Sequence, residues 1–203
     1  MQHSAEIRWF HRGAAGDATM RWFSDGRALA PEVRTDRYLV FPGCESGGVK
    51  LRSYGPKRNL EIKLLRGAAE PMTLPSGVSG RADCWVKWSY GEASVDALVG
   101  ELTQACGAFV DVAKTRWLRK FSTDGGEPEE VDPGARPASG VGAELTALVV
   151  RGEAFWSFAL EAFGAPERVR STLEVVAREF LGARPPVDPF STANSCSYPA
   201  WLA

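Results

Sequence analysis

The sequence predicts an α+β fold in which antiparallel β-strands form the main sheet and helices flank it. Two short runs, residues 49–52 and 60–64, alternate strictly between apolar and charged side chains around a turn, which is typical of a β-hairpin with one apolar face. The same alternation returns in further segments along the chain. Residues 166–181 instead have the 3.6-residue apolar period of an amphipathic helix. With 203 residues, the chain suits one domain with a single core.

The predicted elements follow one another with short connections. The strands are residues 4–10, 33–41, 49–52, 60–64, 81–90, 108–121, 141–150 and 155–163. Loops are predicted at residues 66–80, which are rich in Gly and Pro, and at the acidic residues 123–140. The domain prediction is therefore one unit over residues 1–203.

Three helices are predicted beside the strands. Asp17 can cap a short helix that ends near Asp25, and residues 92–105 have helical spacing. The helix over residues 166–181 should pack on the bulky face of the last strand, which carries Trp156 and Phe158. The Pro-rich tail, residues 185–203, is predicted to dock on the body through its aromatic side chains.

One face of the strands carries most of the charge. Its residues are Glu6, Arg8, Lys50, Arg52, Glu61, Lys63, Lys87, Lys114, Arg116, Glu144 and Glu161. In a flat sheet this face would meet water, whereas in a closed barrel it would line a lumen. Unpaired buried ions are costly, so such a lumen has to stay wet or hold a ligand. Bases outnumber acids in this set, which favours a small anionic guest, and its glutamates could hold Mg²⁺ or Mn²⁺.

Composition excludes several other classes of function. A net charge of −1 gives no general attraction to long nucleic acids or to an anionic membrane surface. The four cysteines stand far apart without a CxxC pair, which argues against zinc. No run approaches the roughly 20 apolar residues of a membrane span, and no leader pattern opens the chain, so we expect a cytoplasmic location. Nucleotide-binding glycine motifs and a nucleophile elbow are also absent from the sequence.

Several short motifs together resemble the CYTH superfamily, the triphosphate tunnel metalloenzymes. They are the opening S-A-E-I-R, the G-x-K-L-R and L-E-I-K hairpin, the K-T-R pair and the closing F-A-L-E-A-F-G, which span residues 4–164. The resemblance implies an eight-stranded antiparallel tunnel with basic residues on a triphosphate and glutamates on a divalent metal. Two family carboxylates are missing, because Ser4 and Ala159 stand at their positions.

Carried over position by position, the resemblance gives each charged residue a role. It places Glu6 and Glu161 at the catalytic centre, and it assigns Mg²⁺ or Mn²⁺ to Glu6, Glu144 and Glu161. The phosphate-binding set is Arg8, Lys50, Arg52, Lys63, Lys87, Lys114 and Arg116.

Three functions stay open at the level of sequence. The first is a metal-dependent hydrolase of inorganic triphosphate, thiamine triphosphate or a nucleotide. The second is a non-catalytic tunnel that binds a phosphorylated ligand, with the acids serving as counter-charges. The third is an α+β domain whose charged face meets water or another protein, and a homodimer is compatible with each.

Overall fold

The computed structural model describes residues 1–40, 43–54, 57–91 and 109–203, without the side chains of residues 53–54 and 57–58. The helix predicted over residues 92–105 lies outside the described residues, as do the end of the strand predicted over 33–41 and the first residue of that over 108–121. Among the described helices, none is long and apolar enough to cross a membrane.

Ten strands and three helices occupy the described chain. The strands are β1 (Gln2–Arg12), β2 (Glu32–Leu39), β3 (Gly47–Tyr54), β4 (Lys57–Leu65), β5 (Glu70–Thr73), β6 (Ser79–Tyr90), β7 (Phe109–Ser122), β8 (Glu129–Val131), β9 (Gly140–Val150) and β10 (Glu153–Phe163). The helices are α1 (Asp17–Ser24), α2 (Val169–Ala183) and α3 (Tyr198–Leu202), and 3₁₀ turns lie at Pro75–Gly77 and Thr192–Asn194.

Eight of these strands close into an antiparallel barrel. Neighbours follow the order β1, β10, β9, β7, β2, β3, β4 and β6, and pairing of β6 with β1 closes the ring. The short strands β5 and β8 pair with β6 and β7 at the sides of this path. The predicted barrel is therefore confirmed, and the charged face of the strands becomes the wall of a lumen.

Both regions predicted as loops contain a short strand, so those two predictions were wrong in part. In residues 66–80, Met72 and Val78 are buried in the apolar core, which holds β5 and the following turn against β6. In residues 123–140, Glu130 of β8 accepts hydrogen bonds from Arg119 at 2.9 and 2.6 Å. Strands of four and three residues are too short to show a clear alternation in sequence.

The larger of two apolar clusters lies outside the barrel wall, and the smaller lies on the inner face of the strands at one end. Ile7 and Trp9 of β1 and Phe158 of β10 point outward and are fully buried beneath α1 and α2. The ring of Phe158 stacks on Phe180 of α2 with centroids 5.7 Å apart, which confirms the predicted contact of this helix with the last strand. The wall thus takes most of its hydrophobic stabilisation from its outer face, while its inner face carries polar groups and, at one end, the smaller apolar cluster around Phe10 and Tyr38.

A tight turn between β9 and β10 fixes which side chains of these strands face inward. Arg151 and Gly152, the two central residues of this turn, have positive φ angles of 52° and 82°. Two-residue turns with positive φ at both positions are favoured in hairpins because their twist matches that of the strands. The resulting register pairs Ala159 with Glu144 and Glu161 with Gly142. A slip by one residue would turn both glutamates out of the lumen.

Candidate functional site: a charged tunnel

The strand phases bring nearly all the predicted site residues into one lumen. Its inner part, which we call the inner lumen, has a volume of about 80 Å³. Its predicted members are Glu6, Arg8, Lys50, Arg52, Glu61, Lys63, Lys114, Arg116, Glu144 and Glu161. Further lining comes from Arg34, Tyr38, Gly48, Trp85, Ser197, Tyr198 and Pro199. This volume is about one tenth of that at the mouth of the tunnel, so the tunnel has a narrow part and a wide part.

One end of the lumen opens into a wide mouth of about 860 Å³, which we call the vestibule. It shares Arg8, Arg116, Glu144 and Glu161 with the inner lumen. Five cations line it, namely Arg8, Lys87, Arg116, Lys120 and Arg136. Small or apolar residues also surround it, among them Ser4, Leu118, Gly142, Ala159 and Phe163. The two positions at which the family carboxylates are missing, Ser4 and Ala159, therefore lie at this opening.

Asp36 of β2 is the centre of charge at the opposite end. It is completely buried, and its carboxylate lies 3.0 Å from Lys114 Nζ, 3.2 Å from Arg34 Nε, 3.7 Å from Arg52 Nε and 4.0 Å from Lys50 Nζ. Burial alone would raise its pKa, but these cations outweigh burial and lower it to about 2. Asp36 therefore stays ionised and holds four cations together.

Glu61 of β4 completes this paired region. It lies directly across from Lys50, at 2.8 Å, and Arg52 lies 3.2 Å away. The two cations lower the pKa of Glu61 to about 2 against the effect of burial. Burial, reinforced by the charge of Arg52, lowers the pKa of Lys50 to about 7.

Residues 195–202, which we call the plug segment, cover this end of the tunnel. Ser195 and Cys196 run beside β1, and Cys196 N–H donates to the Arg8 carbonyl at 3.2 Å. The chain then turns inward, so that the Tyr198 ring lies 3.9 Å from Lys114 Nζ and stacks on Tyr38 at 5.2 Å. Tail docking was predicted from the aromatic residues, but its insertion into the lumen was not.

The plug segment fits against the barrel without spare room. Trp201 stacks on Phe10 at 4.3 Å with an interplanar angle of 8°, and Phe10 meets the Tyr198 ring edge-on at 5.2 Å. A Cβ atom on Gly48 would come within 2.9 Å of Pro199 Cγ. Gly48 is therefore required by this close approach.

Like charges are aligned on neighbouring strands in the middle of the tunnel. Glu6 of β1 lies directly across from Glu161 of β10 on one side and from Asp83 of β6 on the other. On β4 and β6, Lys63 lies directly across from Lys87. Such pairs repel each other and lower the stability of a sheet. This row of three carboxylates beside two lysines thus differs from the matched charges around Asp36.

Lys63 holds the acidic row together. Its Nζ donates to Glu6 and to Glu161, at 3.1 Å in both cases. Burial alone would raise the pKa of both carboxylates, but Lys63 together with Arg8 at Glu6, and with Lys87 at Glu161, outweighs burial and lowers both pKa values. Asp83 is different, since burial and the neighbouring Glu6 raise its pKa to about 6.

Arg8 and Glu144 connect the acidic row to the vestibule. Arg8 donates to Glu6 at 2.7 Å, to Glu144 at 3.1 Å and to Ser157 at 3.0 Å. Glu144 also accepts from Arg116 at 3.1 Å, and Arg116 in turn contacts Glu32 of β2. These arginines hold the pKa of Glu144 well below its usual value despite burial. Every predicted glutamate therefore already has a cationic partner.

Those partners decide how well the carboxylates suit a divalent metal. Mg²⁺ and Mn²⁺ need several free oxygen ligands around one point. Lys63 Nζ lies between Glu6 and Glu161, and Glu144 is held by Arg8 and Arg116. Among the described residues, no three His, Cys, Asp or Glu side chains are grouped as metal ligands. The arrangement described here does not fit the metal assigned by the resemblance.

Several buried donors in the tunnel lack an acceptor among the described residues. In the inner lumen they are Nε of Arg52, Nε of Arg116, Nε1 of Trp85 and the hydroxyl of Tyr198, and the Ser4 hydroxyl is a fifth at the vestibule. Most buried donors in proteins are paired, so such a cluster needs an explanation. A guest rich in acceptor oxygens would supply the missing partners.

Sequence reasoning missed three groups of tunnel residues. Arg34, Asp36 and Tyr38 share the inner face of β2, but the outer face also carries Arg37, so the alternation did not show which face was buried. Asp83 shares the strand face of Lys87 by alternation, but no role was predicted for it. Tyr198 reaches the lumen through tertiary contacts of the plug segment, for which the sequence has no local signal.

Comparison with known proteins finds relatives by structure alone. No protein-family profile and no curated protein matches the chain. The PH1012 protein from Pyrococcus horikoshii OT3 aligns over 86% of this chain and 89% of its own, with a TM-score of 0.50 and 14% identity. A conserved hypothetical protein from Pyrococcus furiosus aligns over 97% and 98%, with a TM-score of 0.52 and 13% identity. At these identities the likeness shows the fold alone.

Proposed function

We propose that the tunnel binds a small, multiply charged phosphorylated anion that enters through the vestibule. The observation that carries this proposal is the cluster of buried donors without acceptors on Arg52, Trp85, Arg116 and Tyr198. Phosphate groups offer several strong acceptor oxygens and negative charge at the same point, so they match both needs of the site.

The uneven charge of the tunnel supports the same class of ligand. Lys63 and Lys87 are aligned across two strands, and Lys120 and Arg136 extend the positive charge to the mouth. Among the described residues, neither Lys87 nor Arg136 has a carboxylate within ion-pair distance. A phosphate between these side chains would relieve their repulsion, which gives binding a favourable electrostatic contribution.

Metal-dependent hydrolysis of a triphosphate, as in the triphosphate tunnel metalloenzymes that the sequence resembles, is the second candidate. The row of Asp83, Glu6 and Glu161 on adjacent strands favours it, because carboxylates so aligned can turn toward one ion. Lys63 would first have to leave two of them. Binding without turnover needs no such rearrangement and is therefore our first conclusion.

Calorimetric titration of the purified protein tests the first proposal. Pyrophosphate and tripolyphosphate are titrated in the presence of EDTA, with sulfate as an anion of lower charge. We expect saturable binding of the polyphosphates that weakens as salt is added. At a hundred times the Kd, the ligand should stabilise the native state by about 2.7 kcal/mol and raise the Tm by about 5–10 °C. Equal binding of sulfate, or no binding at all, would contradict the proposal.

The second candidate is tested by phosphate release from tripolyphosphate, thiamine triphosphate and ATP with Mg²⁺ or Mn²⁺. Turnover that EDTA abolishes, and that Glu161→Gln lowers at least about a hundredfold, would support hydrolysis because transition-state contacts are commonly worth that much. Glu174→Gln, at a partly exposed position on α2 away from the tunnel, is the matched control. Binding without metal-dependent release would leave the tunnel as a binding site.

A further inference from the structure

The plug segment determines which end of a ligand the tunnel can recognise. The vestibule is wide, whereas the opposite end of the inner lumen is lined by Ser197, Tyr198 and Pro199. The tunnel is therefore blind, and a guest that enters at the vestibule meets Tyr198 at its far end. This inference rests on the proposed function, because it concerns the same guest.

Tyr198 is placed to interact with an anion rather than only to fill space. Its ring lies 4.7 Å from Cζ of Arg8 and 3.9 Å from Nζ of Lys114, so the two cations gather around it. Its hydroxyl lacks a hydrogen-bond partner among the described residues. Burial raises its pKa further above the usual value, which keeps the phenol protonated and able to donate.

The anchoring of the plug segment makes this end a fixed stop. Its backbone follows β1 at Cys196, Ser195 Oγ accepts from the Arg81 N–H at 2.9 Å, and Trp201 stacks on Phe10. Backbone pairing and aromatic stacking hold Tyr198 from both sides. A guest with substituents at both ends of its phosphate chain would have to force one of them into this closed end.

We propose that Tyr198 closes the tunnel as a specificity-determining residue, so that the protein recognises the free terminal phosphate group of its ligand. Inorganic polyphosphates and esters substituted at one end then fit, with their unsubstituted end toward Tyr198, Arg8 and Lys114. Ligands with both ends esterified are rejected.

The test compares three ligands with the same number of phosphates. Tripolyphosphate has two free ends, ATP has one, and a dinucleoside triphosphate has none. We expect the wild-type protein to bind ATP within a few-fold of tripolyphosphate and the dinucleoside triphosphate at least tenfold more weakly. Tyr198→Phe should weaken the first two by about tenfold, since a hydrogen bond to a charged group is lost, and leave the third unchanged. The exposed Tyr90→Phe is the matched control.

A second variant tests closure itself. Tyr198→Ala combined with Trp201→Ala removes the stop, so discrimination against the dinucleoside triphosphate should fall below about threefold. If this double variant does not fold, the comparison of the wild type with Tyr198→Phe is sufficient to test the inference. Equal binding of ATP and the dinucleoside triphosphate by the wild type, or an unchanged preference after Tyr198→Phe, would overturn this inference and leave the proposed function standing. If none of the three ligands binds, both fail.

Discussion

The two ends of the tunnel contain the same kinds of side chain in opposite arrangements. At the closed end, Asp36 and Glu61 each lie among cations, and Lys50 is directly across the strand pair from Glu61. Toward the vestibule, acids are aligned with acids and Lys63 with Lys87. Matched pairs satisfy each other, whereas aligned like charges leave an attraction for something else.

This difference separates residues that maintain the barrel from residues that are available to a ligand. Asp36 is completely buried, so a ligand could reach it only by breaking its contacts with Lys114 and Arg34. Lys87 is only half-buried and lines the wide mouth. Substitution of Asp36 should therefore affect stability most strongly, whereas substitution of Lys87 should affect mainly the affinity for a ligand.

Asp36→Asn should have the largest effect on stability. It removes the charge shared by Arg34, Lys50, Arg52 and Lys114, and leaving buried cations uncompensated costs about 3–5 kcal/mol. Urea denaturation measures the free energy of unfolding. The control is Asp111→Asn, which removes an exposed partner of Arg37 and should cost less than about 1 kcal/mol. Similar losses of unfolding free energy in the two variants would show that the buried charges around Asp36 contribute no more to stability than an exposed ion pair.

Lys87→Ala should show the reverse pattern. The free energy of unfolding should hardly change, because the variant removes repulsion from Lys63 as well as a charge. Tripolyphosphate affinity should fall about tenfold, which corresponds to about 1.4 kcal/mol. Calorimetric titration measures this, and the exposed Arg178→Ala on α2 controls for the loss of one positive charge elsewhere. An equal loss of affinity in both variants would exclude a local contact at the vestibule.

Asp83→Asn should have the smallest effect, confined to a range of pH. The folded protein raises the pKa of Asp83 from 3.8 to about 6, mainly through burial and then through Glu6. The folded state therefore binds this proton more tightly, so its contribution to stability is full below pH 4 and is lost as the pH rises through 6. Asp83→Asn should abolish this loss and stabilise the protein by about 1 kcal/mol at pH 7.

Thermal unfolding between pH 4 and 7 measures that difference, with Asp111→Asn again as the control. Asp36 and Glu61 have folded pKa values near 2, and the titration of their unfolded forms is common to both proteins, so it cancels in the comparison. Parallel stability curves for the wild type and Asp83→Asn would show that folding does not raise the pKa of Asp83, which would contradict this prediction.

The sequence predicted the part of this architecture that depends on regular alternation. The hairpin of β3 and β4 has apolar residues at every second position, so Lys50, Arg52 and Lys63 were placed on the correct face. Closure of the sheet depends on the pairing of β1 with β6, whose residues are more than seventy positions apart in sequence. The sequence indicated this closure only through the family resemblance.

The site was less predictable than the fold because its properties depend on contacts between distant segments. Glu6 and Glu161 were found, but their link through Lys63 depends on a third strand. The plug segment was expected to dock, yet no local pattern could indicate that Tyr198 would enter the lumen beside Lys114. Local alternation shows which face of a strand a side chain lies on, whereas its hydrogen-bond and ion-pair partners depend on how the barrel closes.

Placement of the larger apolar cluster on the outside of the wall has a consequence for substitutions at the vestibule. Trp9, Phe158 and Phe180 stabilise the strands from a side that the lumen residues never touch. Substitutions at the vestibule can therefore accumulate without unfolding the barrel. The same fold is found in proteins that share only 13–14% identity with this chain. At the vestibule, ligand chemistry can therefore change with little effect on folding.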